Sequence, residues 1–297
     1  MSGKIGIVTV LYKSESVLPE FFESLEAQTY KNFILYIVDN KSPDNSLAIS
    51  EAFKIKSTFE TVVIANDDNY GVAKGNNIGI KQALSDNCDY VLLSNNDVVI
   101  QEKAIEHTLL GLIRNNADFA ASKILFYKKD VLWYAGGSYS WYNGWCIHYG
   151  MKQVDKGQFD IEKETVYAPT CFLLIKKGVF LSIGLMDEAY FVYWDDTDFV
   201  YRARKKNFKL FYIPSATIEH NERSSTGGVN KFTIYYIYRN LIYFSFKNRN
   251  IFYAIYISIF NITVHTVKHL FSWSWSHWTH AFKAMYDGLK LSNISKK

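Results

Sequence analysis

The amino-acid sequence predicts an α/β fold: a mostly parallel sheet flanked by helices, with an aromatic-rich helical extension at its C-terminal end. Three observations predict it. Apolar runs alternate with helical patterns through about the first 115 residues, as in a doubly wound parallel sheet. The runs are apolar on both faces, as strands buried between two helical layers are. Polar residues collect where the runs end, which is where such sheets bind ligands.

The elements follow in order. "KIGIVTVLY" is the first strand, and "SVLPEFFESLEAQ" sets Leu18, Phe21, Phe22 and Leu25 at helical spacing. "NFILYIVDN" is a strand, "SPDNSLAISEAFKIK" a helix, and "FETVVIAND" a third strand. "GVAKGNNIGIKQALSDN" is the third helix, and "DYVLLSNNDVVI" returns to the sheet. Beyond about residue 115 the alternation stops. "LWYAGGSYSWYNGWCIHYG", with paired glycines and three Trp, reads as short strands and loops over a pocket. "TVYAPTCFLLIKKGVFLSIG" restores a strand and a short helix, "FVYRARKK" is a helix, and "KLFYIPSATIEH" a final strand. The Gly/Ser-rich loop "NERSSTGG" precedes an aromatic, basic, helical tail from Lys231.

Composition narrows the classes. The 297 residues, 48% hydrophobic, are enough for one large core or two modest ones. A net charge of +4 lacks the basic excess of a nucleic-acid-binding protein. The 22 Tyr, 21 Phe and 7 Trp point to packed core, sugar-stacking surfaces or a membrane interface. Cys88, Cys146 and Cys171 are isolated, so a reduced, cytoplasmic setting is expected. "MSGKIGIVTVLY" lacks the features of a signal peptide and reads as the first strand.

The candidate site lies at the strand ends: Thr9 and Tyr12, Asp39 and Asn40, Asn66 and Asp67, then Asn95, Asn96 and Asp97. A buried charge must be paired or bind a metal, so Asp97 at the tip of "YVLLSNND" needs an explanation. The densest carboxylate cluster is "WDDTDF", where Asp195, Asp196 and Asp198 open a helix. Stabilisation by the helix dipole and an Asp198–Arg202 pair accounts for one or two of them. Adjacent like charges raise carboxylate pKa values toward general-base use, which points to a catalytic role for one of the three. Tyr190, Phe191, Tyr193 and Trp194 frame the cluster, either stacking on a sugar or packing beneath the base. His220 ends its strand before the Gly/Ser loop. Together with Asp97 it would offer Mn²⁺ or Mg²⁺ one imidazole and one carboxylate, leaving positions for phosphate oxygens.

Six ordered blocks now carry a resemblance. They are "VTVLYKSESVLPEFFESLEAQ", "IVDNKSPDNS", "NYGVAKGNNIGI", "LLSNND", "GLMDEAYFVYWDDTDF" and "YIPSATIEH", spanning about residues 5–220. The chain resembles the family 2 inverting nucleotide-sugar glycosyltransferases of GT-A fold, in particular the bacterial rhamnosyltransferase-like branch of O-antigen and capsule assembly. The resemblance implies a metal ligand at Asp97, where Asn95-Asn96-Asp97 matches the family's Asp-x-Asp motif, and a second at His220. It implies a general base at Asp196, with Asp195 replacing the family's Glu. Asp39 matches the carboxylate that receives a pyrimidine N3–H. Thr9, Asn69, Gly71, Asn76 and Asn77 match positions around the nucleoside and sugar, where Gly71 and Gly75 would let backbone approach the ligand. A dTDP- or UDP-sugar donor and a lipid-linked glycan acceptor are implied: dTDP-L-rhamnose first, a UDP-hexose or UDP-galactofuranose second.

Competing classes fit less well. A nucleotidyltransferase would carry a Gly-rich basic loop after the first strand, and a dehydrogenase GxGxxG; "TVLYKSESVL" has neither. A non-catalytic sugar-binding scaffold would have no need of Asp97, Asp196 and His220 together. The expected domains are a catalytic unit at 1–230, nucleotide-binding to about 115 and acceptor-binding thereafter, and a helical region at 231–297. In that tail no apolar run is long enough to span a bilayer, and Arg239, Asn240, Lys247 and Arg249 interrupt it. Trp273, Trp275 and Trp278 beside Lys and His suit a headgroup layer at the inner face of the cytoplasmic membrane. Packing on the catalytic domain or in a homodimer is the alternative.

Overall fold

The structure, a computed structural model, describes residues 3–221, 230–272 and 275–294. Most of the "NERSSTGG" loop, Trp273, and the side chains of Trp275 and Trp278 lie outside the described residues. The first half follows the expected alternation: β1 (Ile5–Leu11), α1 (Leu18–Glu26), β2 (Phe33–Asp39), α2 (Ser46–Lys56), β3 (Glu60–Ala65), α3 (Gly71–Ser85) and β4 (Tyr90–Ser94). Next come β5 (Val98–Ile100), α4 (Ala104–Arg114), β6 (Phe119–Phe126), β7 (Leu132–Tyr134), β8 (Gly137–Tyr139), β9 (Cys146–His148) and β10 (Lys163–Glu164). The chain continues through β11 (Phe172–Lys176), α5 (Lys177–Ile183), α6 (Asp195–Lys205) and β12 (Leu210–His220). Three helices close it: α7 (Lys231–Asn248), α8 (Ile251–Ser272) and α9 (Trp275–Ile294).

The main sheet runs β10-β12-β6-β11-β4-β1-β2-β3. β4, β1, β2 and β3 are parallel neighbours. β1 and β2 are almost wholly buried, which their unbroken apolar runs require. The other half is mixed: β11 lies antiparallel between β4 and β6, while β6 and β12 run parallel. β6 occupies a central place that the sequence pattern did not disclose, because "FAASKILF" has neither alternation nor strong β-branching.

The turn at Asn95–Asp97 redirects the chain. Rather than continuing along β4, Val98–Ile100 pairs antiparallel with β12, with Val98 opposite His220. The Asn221 amide donates to the Asp97 carbonyl at 2.8 Å and closes this junction.

A second core cluster joins the C-terminal helices to the segment before α6. Tyr190 and Trp194 pack with Leu241, Tyr243 and Phe244 of α7 and Ile257 of α8. Each such apolar side chain contributes about 1.5–3 kcal/mol when fully buried. The boundary drawn at residue 230 therefore falls at the start of a helix whose inner face shares a core with the segment before α6. Among the described residues no helix is long and apolar enough to cross a membrane.

Candidate active site

Two adjoining cavities open at the carboxyl ends of the strands. The first, about 480 Å³, is lined by Tyr12, Asn40, Asn69, Gly71, Asn76 and Asn95–Asp97. The second, about 670 Å³, is lined by Asp195, Asp196, Tyr193, Trp194, Tyr167 and His220. Asp97 lines both, and so stands where they meet.

Around the first cavity, polar side chains tie strand ends to α3. Asn40 donates to the Gly71 carbonyl at 2.9 Å and accepts from Asn66 at 2.8 Å. Asn69 accepts from the Gly71 amide at 3.0 Å, and Asn96 donates to the Val10 carbonyl at 2.7 Å. Gly71 adopts φ +78, and a Cβ there would fall 2.4 Å from the Phe191 carbonyl oxygen. Asp39 ends β2 fully buried: its Oδ2 accepts from the Ser42 amide, and its Oδ1 has no hydrogen-bond partner among the described residues. The buried Thr9 hydroxyl is likewise without a partner. Orphaned buried polar atoms of this kind require an explanation, and a bound ligand group is one, but neither Thr9 nor Asp39 is among the residues lining the two cavities.

At the junction, Asp97 Oδ1 lies 3.2 Å from His220 Nε2, both side chains being almost fully buried. The Trp133 ring stands nearly perpendicular to the imidazole, with centroids 4.9 Å apart. Among the described residues no group of three or more His, Cys, Asp or Glu gathers to hold a metal ion. One carboxylate and one imidazole still fit an ion that takes its remaining ligands from phosphate and water.

Across the second cavity, Asp195 and Asp196 are the first residues of α6. Burial and the adjacent Asp196 charge push Asp195 up to about 8, and its Oδ2 has no hydrogen-bond partner among the described residues. Burial also raises Asp196, but three donors oppose it: the Thr197 amide at 2.6 Å, the Thr197 hydroxyl at 3.1 Å and the Tyr167 hydroxyl at 3.2 Å. Two adjacent carboxylates, Asp195 buried and Asp196 half-buried, cannot both ionise cheaply. The donors place the charge on Asp196 and leave the proton on Asp195. Asp198 points away from the cavity, into an ion cluster with Arg202 at 2.7 Å and Lys247 at 2.8 Å.

Several expected positions differ in the fold. Asn77 does not line either cavity: its amide grips the Met186 backbone and Glu188 and so ties α3 to the segment before α6. Gly75 gives close approach to Val10 of β1 rather than to a ligand, since a Cβ there would meet Val10 Cγ1 at 2.7 Å. Tyr190, expected at an acceptor surface, is fully buried against Tyr243 and donates to Asp198 at 3.2 Å. Phe191 lines the first cavity rather than the second, stacked on Tyr236 at 5.1 Å. Alternation of direction along this turning segment sends Tyr190 inward and leaves Tyr193 and Trp194 on the second cavity wall. The sequence reading missed Tyr167, which no motif marks. It also missed Arg239 and Asn240, two polar residues inside an apolar helix that looked like interruptions of a hydrophobic run.

Comparison with known proteins gives this geometry a family. Residues 6–182 match Glycosyl transferase family 2. The chain is 25% identical over 232 residues to the glycosyltransferase GlyG of Streptococcus pneumoniae, covering 76% of this chain and 73% of that protein. Over a shorter stretch of 85 residues it is 29% identical to the N-acetylglucosaminyl-diphospho-decaprenol L-rhamnosyltransferase of Mycobacterium tuberculosis, covering 29% of this chain and 26% of that protein. The structure of GalNAc-T7 with UDP, GalNAc and Mn²⁺ superposes with a TM-score of 0.64 at 14% identity, covering 82% of this chain and 50% of that one, which shows a shared GT-A-like fold. With the family match extending over more than half of its length, this chain belongs to glycosyl transferase family 2 and is a glycosyltransferase.

Proposed function

We propose that this enzyme transfers L-rhamnose from dTDP-L-rhamnose, with inversion, to a hydroxyl of a lipid-linked glycan in bacterial O-antigen or capsule synthesis. The observation that carries the reading is Asp97, standing with His220 where a nucleotide-sized cavity meets one floored by Asp195 and Asp196. The donor's diphosphate would lie at this junction and its sugar would face the second cavity. Asp39 Oδ1 would accept the pyrimidine N3–H, and Asn40, Asn69 and Asn76 would line the nucleoside.

Transfer is a single displacement at the anomeric carbon. As the acceptor oxygen bonds to that carbon, its proton passes to the Asp196 carboxylate, and the bond to the diphosphate breaks with its electron pair. Asp195, holding a proton, keeps a second negative charge away from the base. Tyr193 and Trp194 orient the incoming glycan on the cavity wall. Asp97 and His220 would hold Mn²⁺ or Mg²⁺, which when bound neutralises charge on the departing nucleoside diphosphate.

The local likeness to an L-rhamnosyltransferase supports the donor. A UDP-hexose or UDP-galactofuranose is the second reading, favoured by the UDP in GalNAc-T7, because Asp39 would serve uracil and thymine equally. Attachment to the inner face of the cytoplasmic membrane is supported by α8, where Phe252, Ile255, Tyr256 and Ile259 form an exposed apolar stripe at helical spacing. Docking of a second copy is the alternative use of that stripe.

The test is a donor screen: thermal stabilisation by dTDP, UDP and GDP with Mn²⁺ or Mg²⁺, then turnover of the matching sugars. Turnover of a UDP-sugar with none of dTDP-L-rhamnose overturns the donor. Asp196→Asn should cost roughly a hundred- to ten-thousandfold in turnover with donor affinity nearly intact. If Asp195→Asn is the dead variant and Asp196→Asn works, the base is Asp195.

A further inference from the structure

The segment Tyr190–Trp194, which joins the two cavities, carries unusual backbone conformations. Phe191, Tyr193 and Trp194 all have positive φ, at 61, 62 and 70 degrees, without a glycine among them. Phe191 has ψ −59, and the Val192 amide donates back to the Tyr190 carbonyl at 2.7 Å. This is the rare, strained γ-turn that side-chain-bearing residues avoid. Such conformations persist only where the surroundings over-determine them, and they gather at functional sites. Trp194 is the residue from which α6 starts, so the segment's shape sets where Asp195 and Asp196 point.

What over-determines it comes from α7. The side-chain amide nitrogen of Asn240, fully buried, shares its two N–H groups among the carbonyls of Tyr190 at 2.9 Å, Val192 at 2.8 Å and Tyr193 at 2.9 Å. Arg239 donates to the carbonyls of Ala189 and Tyr190 at 2.6 and 2.8 Å, and its Nε holds the Asn240 oxygen at 2.7 Å. The amide nitrogen of Asn240 is thus committed to this one segment, and its oxygen to Arg239. The Tyr190 carbonyl also accepts from the Val192 amide, but the carbonyls of Val192 and Tyr193, outside any helix or sheet ladder, depend on Asn240.

We infer that Asn240, backed by Arg239, is a positioning residue for catalysis: it holds the strained Tyr190–Trp194 segment so that Asp196 faces the reacting sugar. The first helix of the C-terminal region is then an integral part of the catalytic unit. This inference rests on Asp196 being the base, and the experiment separates the two.

Asn240→Ala is made in the wild-type and in the Asp196→Asn backgrounds, with dTDP and UDP binding measured by calorimetry alongside turnover. Asn240→Ala should lower kcat by roughly 100-fold, the scale of a misplacement of about 1 Å, with nucleotide affinity and donor KM changed less than about threefold. In the Asp196→Asn background the same substitution should cost less than about threefold, because a residue acting through the base has nothing left to position. An equal loss in both backgrounds, a loss of nucleotide binding, or wild-type turnover each overturns the inference. Failure of the base assignment shows separately, as an active Asp196→Asn single variant, and the cycle is then run on Asp195→Asn. Should Asn240→Ala not fold, Arg239→Gln removes two of the carbonyl bonds while leaving Asn240, and the same cycle with a kcat loss of roughly tenfold decides.

Discussion

Replacing Tyr167 with Phe removes one hydroxyl from the second cavity and isolates what keeps the charge on Asp196. The hydroxyl donates to Asp196 Oδ2 at 3.2 Å, beside the two donors from Thr197 on Oδ1. Hydrogen bonds to a charged group contribute about 1.5–3 kcal/mol, and the length of this one places it at the lower end, about 1.5 kcal/mol. Losing it weakens the ionised form of Asp196 relative to the protonated one by about that much. The sign follows from which form is bound. Tyr167 stabilises the ionised carboxylate and lowers its pKa against the raising effect of burial, so removing it lets the pKa rise further. The acid limb of kcat/KM should therefore move to higher pH, while the plateau rate changes by less than about threefold. Initial rates of nucleoside diphosphate release across the neutral range measure it. A limb that stays in place, or moves down, would refute the assignment of the titrating base to Asp196.

Other consequences can be measured on the same protein. Asp97→Ala should weaken nucleotide binding in the presence of Mn²⁺, and EDTA should reproduce the loss with the wild type; full activity in EDTA would remove the metal from the mechanism. Gly71→Ala should lower stability by about 1–3 kcal/mol and weaken donor binding, since its φ of +78 and the Phe191 carbonyl leave no room for a methyl group; an unchanged melting temperature contradicts this. Replacing both Phe252 and Ile259 by Ser should reduce sedimentation with anionic liposomes and leave turnover of a soluble acceptor analogue intact. If the wild type ignores liposomes and the double variant shifts from dimer to monomer, the stripe is a subunit interface.

Much of the first half of the fold was legible in the sequence. Strands such as "GIVTVL" and "FILYIVD" are apolar on both faces and bounded by polar tips, a local pattern that needs no knowledge of the rest of the chain. The same holds for the polar strand ends and for the carboxylates of "WDDTDF", whose helix begins where the acidic residues stand. What the tertiary structure alone decided depends on pairings between distant segments. Asp97 and His220 meet because β5 leaves β4 and pairs with β12, a register that no local periodicity encodes. Of the four candidate aromatics in Tyr190–Trp194, the strained turn sends Tyr190 into the core and Phe191 to the other cavity. Arg239 and Asn240 looked like flaws in an apolar helix, and only the fold reveals the inward-facing carbonyls they satisfy. Periodicity reports which face of an element is buried. It is silent on what that face meets, because the partner is chosen by long-range packing and by the polar groups that packing leaves unpaired.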